Sequence, residues 1–262
     1  MHILVTNDDG VLAPGLLALA QAMREIADKV TVLAPDRNWS ASGHVKTLHR
    51  PLRVIEVELE DGSFAWATDG APSDCVALAQ LGFISEKIDL VVSGINPNAN
   101  IGHDVTYSGT VTAAMEAAIG GIPGVAVSLD KPDNLSGPVN FSGATRAAQR
   151  VVQWLSQQNG LPAEVILSVN VPYGSAEKFK GYMITRQGLR IYRDELVRRV
   201  DPAGRPYYWI GGQVPTAIDE PGTDYGALSA GYVSVTPIQL DLTSSRTRDW
   251  LEERQFITSL DL

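Results

Sequence analysis

Cysteine is nearly missing from this 262-residue chain: Cys75 stands alone, so no internal disulfide can form. Histidine is scarce too. His2, His44, His49 and His103 are scattered without the spacing of a Cys/His zinc site, so any metal is expected on oxygen ligands. No apolar run comes near the ~20 residues of a membrane helix, and Met1 to Thr6 already reads as a strand with no basic, cleavable leader ahead of it. The expectation is a cytoplasmic protein with no membrane partner. Positive charge is in deficit, 21 basic against 30 acidic residues for a net charge of -9. Nucleic acid and anionic membranes are therefore repelled at long range, and no stable nucleic-acid partner is expected. An anionic substrate would need a cation supplied locally. With 44% hydrophobic and 19% charged residues, the composition is that of an ordinary folded protein rather than a disordered one.

What is present alternates between strand and helix. His2 to Thr6 is a short apolar run halted by the turn residues Asn7-Asp8-Asp9-Gly10. Leu12, Leu16, Leu19, Met23 and Ile26 then recur at spacings of four and three, predicting one helical stripe behind Pro14-Gly15. Further strands are predicted at Val30 to Ala34, Leu52 to Val57, Ile88 to Val92, Gly124 to Ser128 and Val165 to Val169. Helices are predicted over Ser73 to Leu81, from Ser108 through Val111, Met115 and Ala118, and along Ala147, Val151 and Trp154. This order predicts an α/β fold: an open, mostly parallel sheet with helices on both faces. From about Arg186 the texture turns Arg-rich and aromatic. A hairpin is predicted around Asp201-Pro202-Ala203-Gly204, and a last helix after Ser244 or Ser245 with Trp250 and Ile257 on one face. Residues 1–185 are thus expected to form the catalytic core, and 186–262 a hairpin and helix extension, continuous with it, for oligomer contacts.

In an open α/β sheet, ligands bind outside the carboxyl ends of the strands. Asn7, Asp8, Asp9, Asp36, Asn96 and Asn170 all fall there. Adjacent Asp8 and Asp9 repel one another unless a proton or a cation intervenes, and a hard divalent ion such as Mg²⁺ or Mn²⁺ suits such oxygens. Taken alone, Asp8-Asp9-Gly10 also reads as a solvated turn. Ser108-Gly109-Thr110 opens a helix with two hydroxyls and a glycine, where free N–H groups and the helix dipole favour an anion, although the same triplet serves as a plain cap elsewhere. A dinucleotide fold is disfavoured because Gly-x-Gly-x-x-Gly is missing after the first strand; there is no Walker loop and no Gly-x-Ser-x-Gly elbow. Cys75, Asp69 and Asp74 are read as structural. The arginines Arg186, Arg190, Arg193, Arg198 and Arg199 form either a polyanion site or, interrupted by Asp194 and Glu195, a solvated face.

A resemblance now joins these pieces. Val5-Thr6-Asn7-Asp8-Asp9-Gly10 with Ala13-Pro14-Gly15, Ala34-Pro35-Asp36-Arg37, Ser40-Ala41-Ser42-Gly43, Gly70-Ala71-Pro72-Ser73-Asp74-Cys75-Val76, Ser93-Gly94-Ile95-Asn96, Tyr107-Ser108-Gly109-Thr110-Val111 and Gly231 to Pro237 stand in order along nearly the whole chain. Together they resemble the stationary-phase survival protein SurE family. The resemblance implies a Rossmann-like core and a divalent-metal-dependent phosphatase acting on nucleoside 5'- and 3'-monophosphates. It also implies a homodimer or homotetramer built partly by exchanged C-terminal segments. It places Asp8, Asp9, Ser40 and Asn96 on metal-ligand positions, for one Mg or Mn ion per subunit, and Asn100, Ser108, Gly109 and Thr110 on phosphate contacts. Asp8 and Asp9 are also the catalytic candidates, with the choice of base between them open and a covalent aspartyl intermediate kept as the lesser route. The rival from another class is a non-catalytic nucleotide-sensing protein with the same pocket.

Overall fold

Every residue of β1 (His2–Thr6) is buried, and the alternation of its side chains decides the layering of the molecule. Ile3 and Val5 point to one face and Leu4 to the other, as the two-residue period of a strand requires. The computed structural model describes residues 1–158, 160–254 and 256. In it α1 (Pro14–Arg24) follows β1, and then come β2 (Lys29–Pro35), β3 (Val54–Glu58), β4 (Phe64–Thr68), α2 (Pro72–Leu78), β5 (Leu90–Asn96) and α3 (Gly109–Ile119). The chain continues through β6 (Gly124–Asp130), α4 (Ser142–Ser156), β7 (Val165–Pro172), β8 (Tyr182–Ile184), β9 (Arg190–Val200), β10 (Pro206–Ala217), α5 (Asp224–Ser229), β11 (Val233–Gln239) and α6 (Ser245–Glu253).

Among the described residues nine strands form one sheet in the order β3-β4-β2-β1-β5-β6-β7-β11-β8. Pairing is parallel except at β3–β4 and β7–β11. On one face α1 and α4 cover Ile3, Val5, Val92 and Val127 with Leu16, Leu19, Met23, Ala144 and Val152. On the other, α2 and α3 cover Leu4, Leu33 and Val91 with Cys75, Val76, Ala113 and Ala117. The expected α/β class, mostly parallel with helices on both sides, is what the chain forms. Among the described residues no helix is long and apolar enough to cross a membrane.

Local expectations fare unevenly. Leu12 is 73% exposed, because α1 starts only at Pro14 and its inward stripe is Leu16, Leu19, Ala20 and Met23. Trp154 is likewise turned out of the α4 core face, which Ala144, Ala147, Ala148, Val151, Val152 and Leu155 occupy. Regular helix in α2 stops at Leu78, and a wider turn carries the chain through Ala79–Phe83, where Gly82 takes a positive φ. β4 escapes a reading of periodicity because Ala65 and Ala67 supply little strand preference; it is stabilised by parallel pairing with β2. β5 runs on to Asn96 rather than stopping at Val92, since pairing to β6 continues to Ser128. β9 and β10 form the expected antiparallel hairpin, turning at residues 201–204. β11 brings the chain back into the main sheet, between β7 and β8. α6 begins at the Ser244 cap as expected, and Ile257 lies outside the described residues.

Gly15 marks where α1 crosses the sheet most closely. A Cβ there would lie 2.2 Å from the Ile95 carbonyl oxygen. Gly to Ala in a helix normally stabilises by up to about 1 kcal/mol, but overpacking against backbone costs about 1–3 kcal/mol. Gly15→Ala is therefore expected to lower stability by about 2 kcal/mol, measured as a fall in the urea midpoint at unchanged m-value.

Candidate active site

The turn after β1 is built by Asn7, whose Nδ2 donates to the Gly10 carbonyl (3.0 Å) and whose Oδ1 accepts from the Gly10 amide (3.2 Å). That clasp presents Asp8 inward and Asp9 toward the rim. Asp8 is only 4% exposed. Its Oδ1 accepts from the Thr110 hydroxyl at 2.5 Å, and the first backbone N–H groups of α3, at Gly109 and Thr110, further favour its ionised form. Close approach of α3 to Asp8 needs Gly109, since a Cβ there would sit 2.7 Å from the Asp8 Cβ. Burial nevertheless dominates and raises the Asp8 pKa above the usual carboxylate range. Asp9 is pushed up to about 6, by burial first and by the Asp8 charge second.

A second strip of chain closes over this pair. The Trp39 amide donates to the Asp8 carbonyl at 2.7 Å. Asn38 bridges Asp9 and Ser40: its Nδ2 donates to Asp9 Oδ1 (3.2 Å), and its Oδ1 accepts from the Ser40 amide (2.7 Å). Farther along, Gly43 is tied both to α3 and to the turn before it, its amide donating to the Tyr107 carbonyl and its carbonyl accepting from the Thr112 hydroxyl. Glu116, buried within α3, then anchors the strip through His44 Nε2 (2.9 Å) and Lys46 Nζ (2.8 Å). These two partners, His44 foremost, hold the Glu116 carboxyl below its usual range.

The third wall comes from β5. Register with β1 matches Thr6 to Ser93, so Asn96, at the end of β5, lies at the same edge of the sheet as the turn that carries Asp8 and Asp9. Asn96 Nδ2 donates to the Asn98 carbonyl at 2.5 Å, which leaves Oδ1 without a described donor. Asn100 is buried and held by β6 and β7: its amide donates to Asn170 Oδ1 (2.8 Å), its Nδ2 donates to Ser128 Oγ (2.8 Å), and Asn170 Nδ2 returns to its carbonyl (3.1 Å).

Among the described residues, no three His, Cys, Asp or Glu side chains converge as a ready metal cage. A cation at Asp8 and Asp9 would complete its shell with neutral oxygen. Ser40 Oγ and Asn96 Oδ1, neither with a described partner, are such atoms. This all-oxygen set fits a hard divalent ion and is poorly suited to a soft one.

The family described as Survival protein SurE matches over residues 3–194. This chain belongs to the SurE family. The 5'-nucleotidase SurE of Chloroflexus aggregans is 54% identical over 97% of both chains, and that of Herpetosiphon aurantiacus 52% over 96% of both. The crystal structure of the SurE protein from Aquifex aeolicus superposes with a TM-score of 0.79 at 38% identity, covering 97% of this chain and all of the other.

Within this SurE-family site, the expected residues do not all have free groups. Ser108 spends its hydroxyl capping α3, accepting from the Val111 amide at 3.1 Å. Thr110, expected on phosphate, has its hydroxyl on Asp8, so one side chain serves both the carboxylate and the helix start. Asn38, Asn170 and the Glu116 anchor were not legible as site residues; Asn170 at a strand end was the one partial signal. Cys75 is buried and its thiol is pushed far above the usual range by burial, in keeping with its structural reading. Asp74 accepts from the Ala71 and Thr47 amides and from the Thr47 hydroxyl, also a structural role. The five arginines do not make one patch: alternation along β9 puts Arg190 and Arg198 on one face and Arg193 and Arg199 on the other, while Arg186 pairs with Glu220.

Burial of Asp9 beside the Asp8 charge has a measurable cost. Because the folded Asp9 value of about 6 exceeds the ordinary 3.8, the folded chain binds that proton more tightly than the unfolded one. The penalty is absent below pH 3.8, grows toward pH 6 and is complete above it. In chelator, Asp9→Asn should melt about 2–5 °C higher than wild type at pH 7.5, with the gap closing by pH 4, as followed by thermal denaturation.

Proposed function

We propose that this chain is a divalent-metal-dependent phosphatase that hydrolyses nucleoside 5'- and 3'-monophosphates to nucleoside and phosphate. The observation that carries the reading is the adjacent pair Asp8 and Asp9 facing the N-terminus of α3, with Thr110 bonded to Asp8. Names of close relatives as 5'-nucleotidases support the substrate class and favour an enzyme over a non-catalytic nucleotide sensor. Asp8, Asp9, Ser40 and Asn96 would hold one Mg or Mn ion. When bound, such an ion draws charge from the phosphoryl oxygens and acidifies the attacking water. The amide groups of Gly109 and Thr110, the Asn100 side chain and the Ser108 turn would orient the phosphate in line. Asp8 is already engaged by Thr110, whereas Asp9 meets only Asn38 through one oxygen, so Asp9 is the better placed acceptor for the proton of the attacking water.

The hydrolysis reading is tested by phosphate release from nucleoside 5'- and 3'-monophosphates, polyphosphate and an aryl phosphate, with Mg²⁺, Mn²⁺ or chelator. Release should require the cation, and Asp8→Asn and Asp9→Asn should each lower kcat at least about a hundredfold with the fold intact by circular dichroism. Full activity after exhaustive chelation, or a wild-type rate in either variant, would overturn the assignment.

The segment 186–262 we assign to assembly, as a homodimer or homotetramer. Trp209, Tyr208 and Ile210 are exposed on β10, and α6 has no buried residue, so both elements lack a partner large enough to bury them among the described residues. A chain ending before Ser244 is expected to sediment as a smaller particle than the full chain. An unchanged number of subunits per particle would show that α6 packs within its own chain.

A further inference from the structure

β2 ends at Pro35 and β3 starts at Val54, so residues 36–53 form one long loop over the carboxylate pair. A loop of that length keeps a single shape only where other elements hold it. Its shape around Ser40 is strained. The Ser42 amide closes a turn on the Trp39 carbonyl at 3.1 Å, with Ser40 and Ala41 at the corner and Ala41 at φ 58°. That left-handed conformation suits glycine, and a residue with a Cβ adopts it at a cost. Such a residue persists where its surroundings over-determine it.

The surroundings do so from both ends. On the near side, the Trp39 amide donates to the Asp8 carbonyl at 2.7 Å, and Asn38 joins Asp9 to the Ser40 amide. On the far side, α3 takes hold through Thr112 and Glu116, which stand one helical turn apart on the same face. The Thr112 hydroxyl donates to the Gly43 carbonyl at 3.1 Å. Glu116 accepts from His44 Nε2 on one carboxylate oxygen (2.9 Å) and from Lys46 Nζ on the other (2.8 Å). Beyond them Thr47 is held by Asp74 of α2.

Glu116 is the buried member of its group, 6% exposed against 33% for His44 and 48% for Lys46. Burying that charge is costly, and an apolar side chain of similar volume would avoid the cost. What the carboxylate adds is direction: two bonds to alternate residues of the loop, fixed to the helix that starts beside Asp8.

We propose that Glu116 is a positioning residue for the cation: through His44 and Lys46 it holds the strained turn 39–42 in the form that keeps Ser40 joined to Asp9. It thereby sets cation affinity rather than the rate of the chemical step. The inference rests on the metal-dependent phosphatase reading above and adds to it what governs occupancy of the metal site. The apparent dissociation constant is the intrinsic one divided by the fraction of chains with the turn in place. With Glu116 present that fraction is near one; without its charge, the strain at Ala41 works against the ordered form.

The test titrates the metal-free full chain with Mn²⁺ by calorimetry, without substrate, and separately measures phosphate release at saturating Mn²⁺. Glu116→Gln keeps the shape of the side chain and removes its charge. It should weaken Mn²⁺ binding about tenfold, with kcat at saturating Mn²⁺ within about twofold of wild type. Lys46→Met, at a side chain half in solvent, should weaken binding by a smaller factor and carries the test if Glu116→Gln does not fold. Ala41→Gly separates positioning from plain stabilisation. Relief of the left-handed residue should change affinity by less than about twofold in wild type, whose turn is already ordered, yet bring the Glu116→Gln chain back to within about threefold of wild type. Wild-type affinity in both Glu116→Gln and Lys46→Met, a fall in kcat with affinity intact, or no recovery on Ala41→Gly would overturn the positioning role while leaving the phosphatase reading standing. If wild type binds no Mn²⁺ and releases phosphate in chelator, the parent reading falls, and the positioning role with it.

Discussion

Two carboxylates on consecutive residues, carried to the end of a buried strand, set the terms for everything around them. Asp8 sits almost out of water and Asp9 partly so, and each raises the electrostatic cost of ionising the other. The fold meets part of that cost itself. Thr110 and the first N–H groups of α3 are aimed at Asp8, so the helix start that reads as an anion site is turned in part toward a carboxylate of its own chain. This arrangement ties β1 to α3 through a 2.5 Å hydrogen bond and explains why Gly109 admits no side chain.

The remaining ligand candidates depend on that pair through loops whose anchors lie elsewhere. Ser40 is exposed on a loop, yet Asn38 fixes it to Asp9, and Gly43, His44 and Lys46 fix the same strip to α3. Glu116 can hold His44 and Lys46 because it is buried on the same helix that begins at Gly109, so one rigid element orders both the groups around Asp8 and the loop above them. Similarly, Asn100 owes its position to Asn170 and Ser128 on two other strands. The hairpin contributes at its base through Arg190, Tyr192 and Asp104, far from its exposed aromatic tip.

The layered core was legible because burial leaves periodic marks. Alternation in His2 to Thr6 and the three-and-four spacing of Leu16, Leu19 and Met23 follow directly from strand and helix geometry. Where packing overruled propensity, the reading failed: Leu12 and Trp154 continue apolar spacings yet face outward, and the alanine-containing β4 is stabilised by its place in the sheet. Turn chemistry at Asn7 to Gly10 and the cap at Ser108 were legible for a similar reason, since each is decided within four residues.

The sequence by itself determined the α/β class, the carboxylate pair at the first strand end and the hydroxyl-capped helix start, because each depends on residues close together in the chain. Tertiary structure alone decided what joins them. Thr110 meets Asp8 across 102 positions, Asn170 meets Asn100 across 70 and Glu116 meets Lys46 across 70. Such partners carry no local signature, since parallel strands need long crossovers and their ends come together only when the whole sheet is assembled.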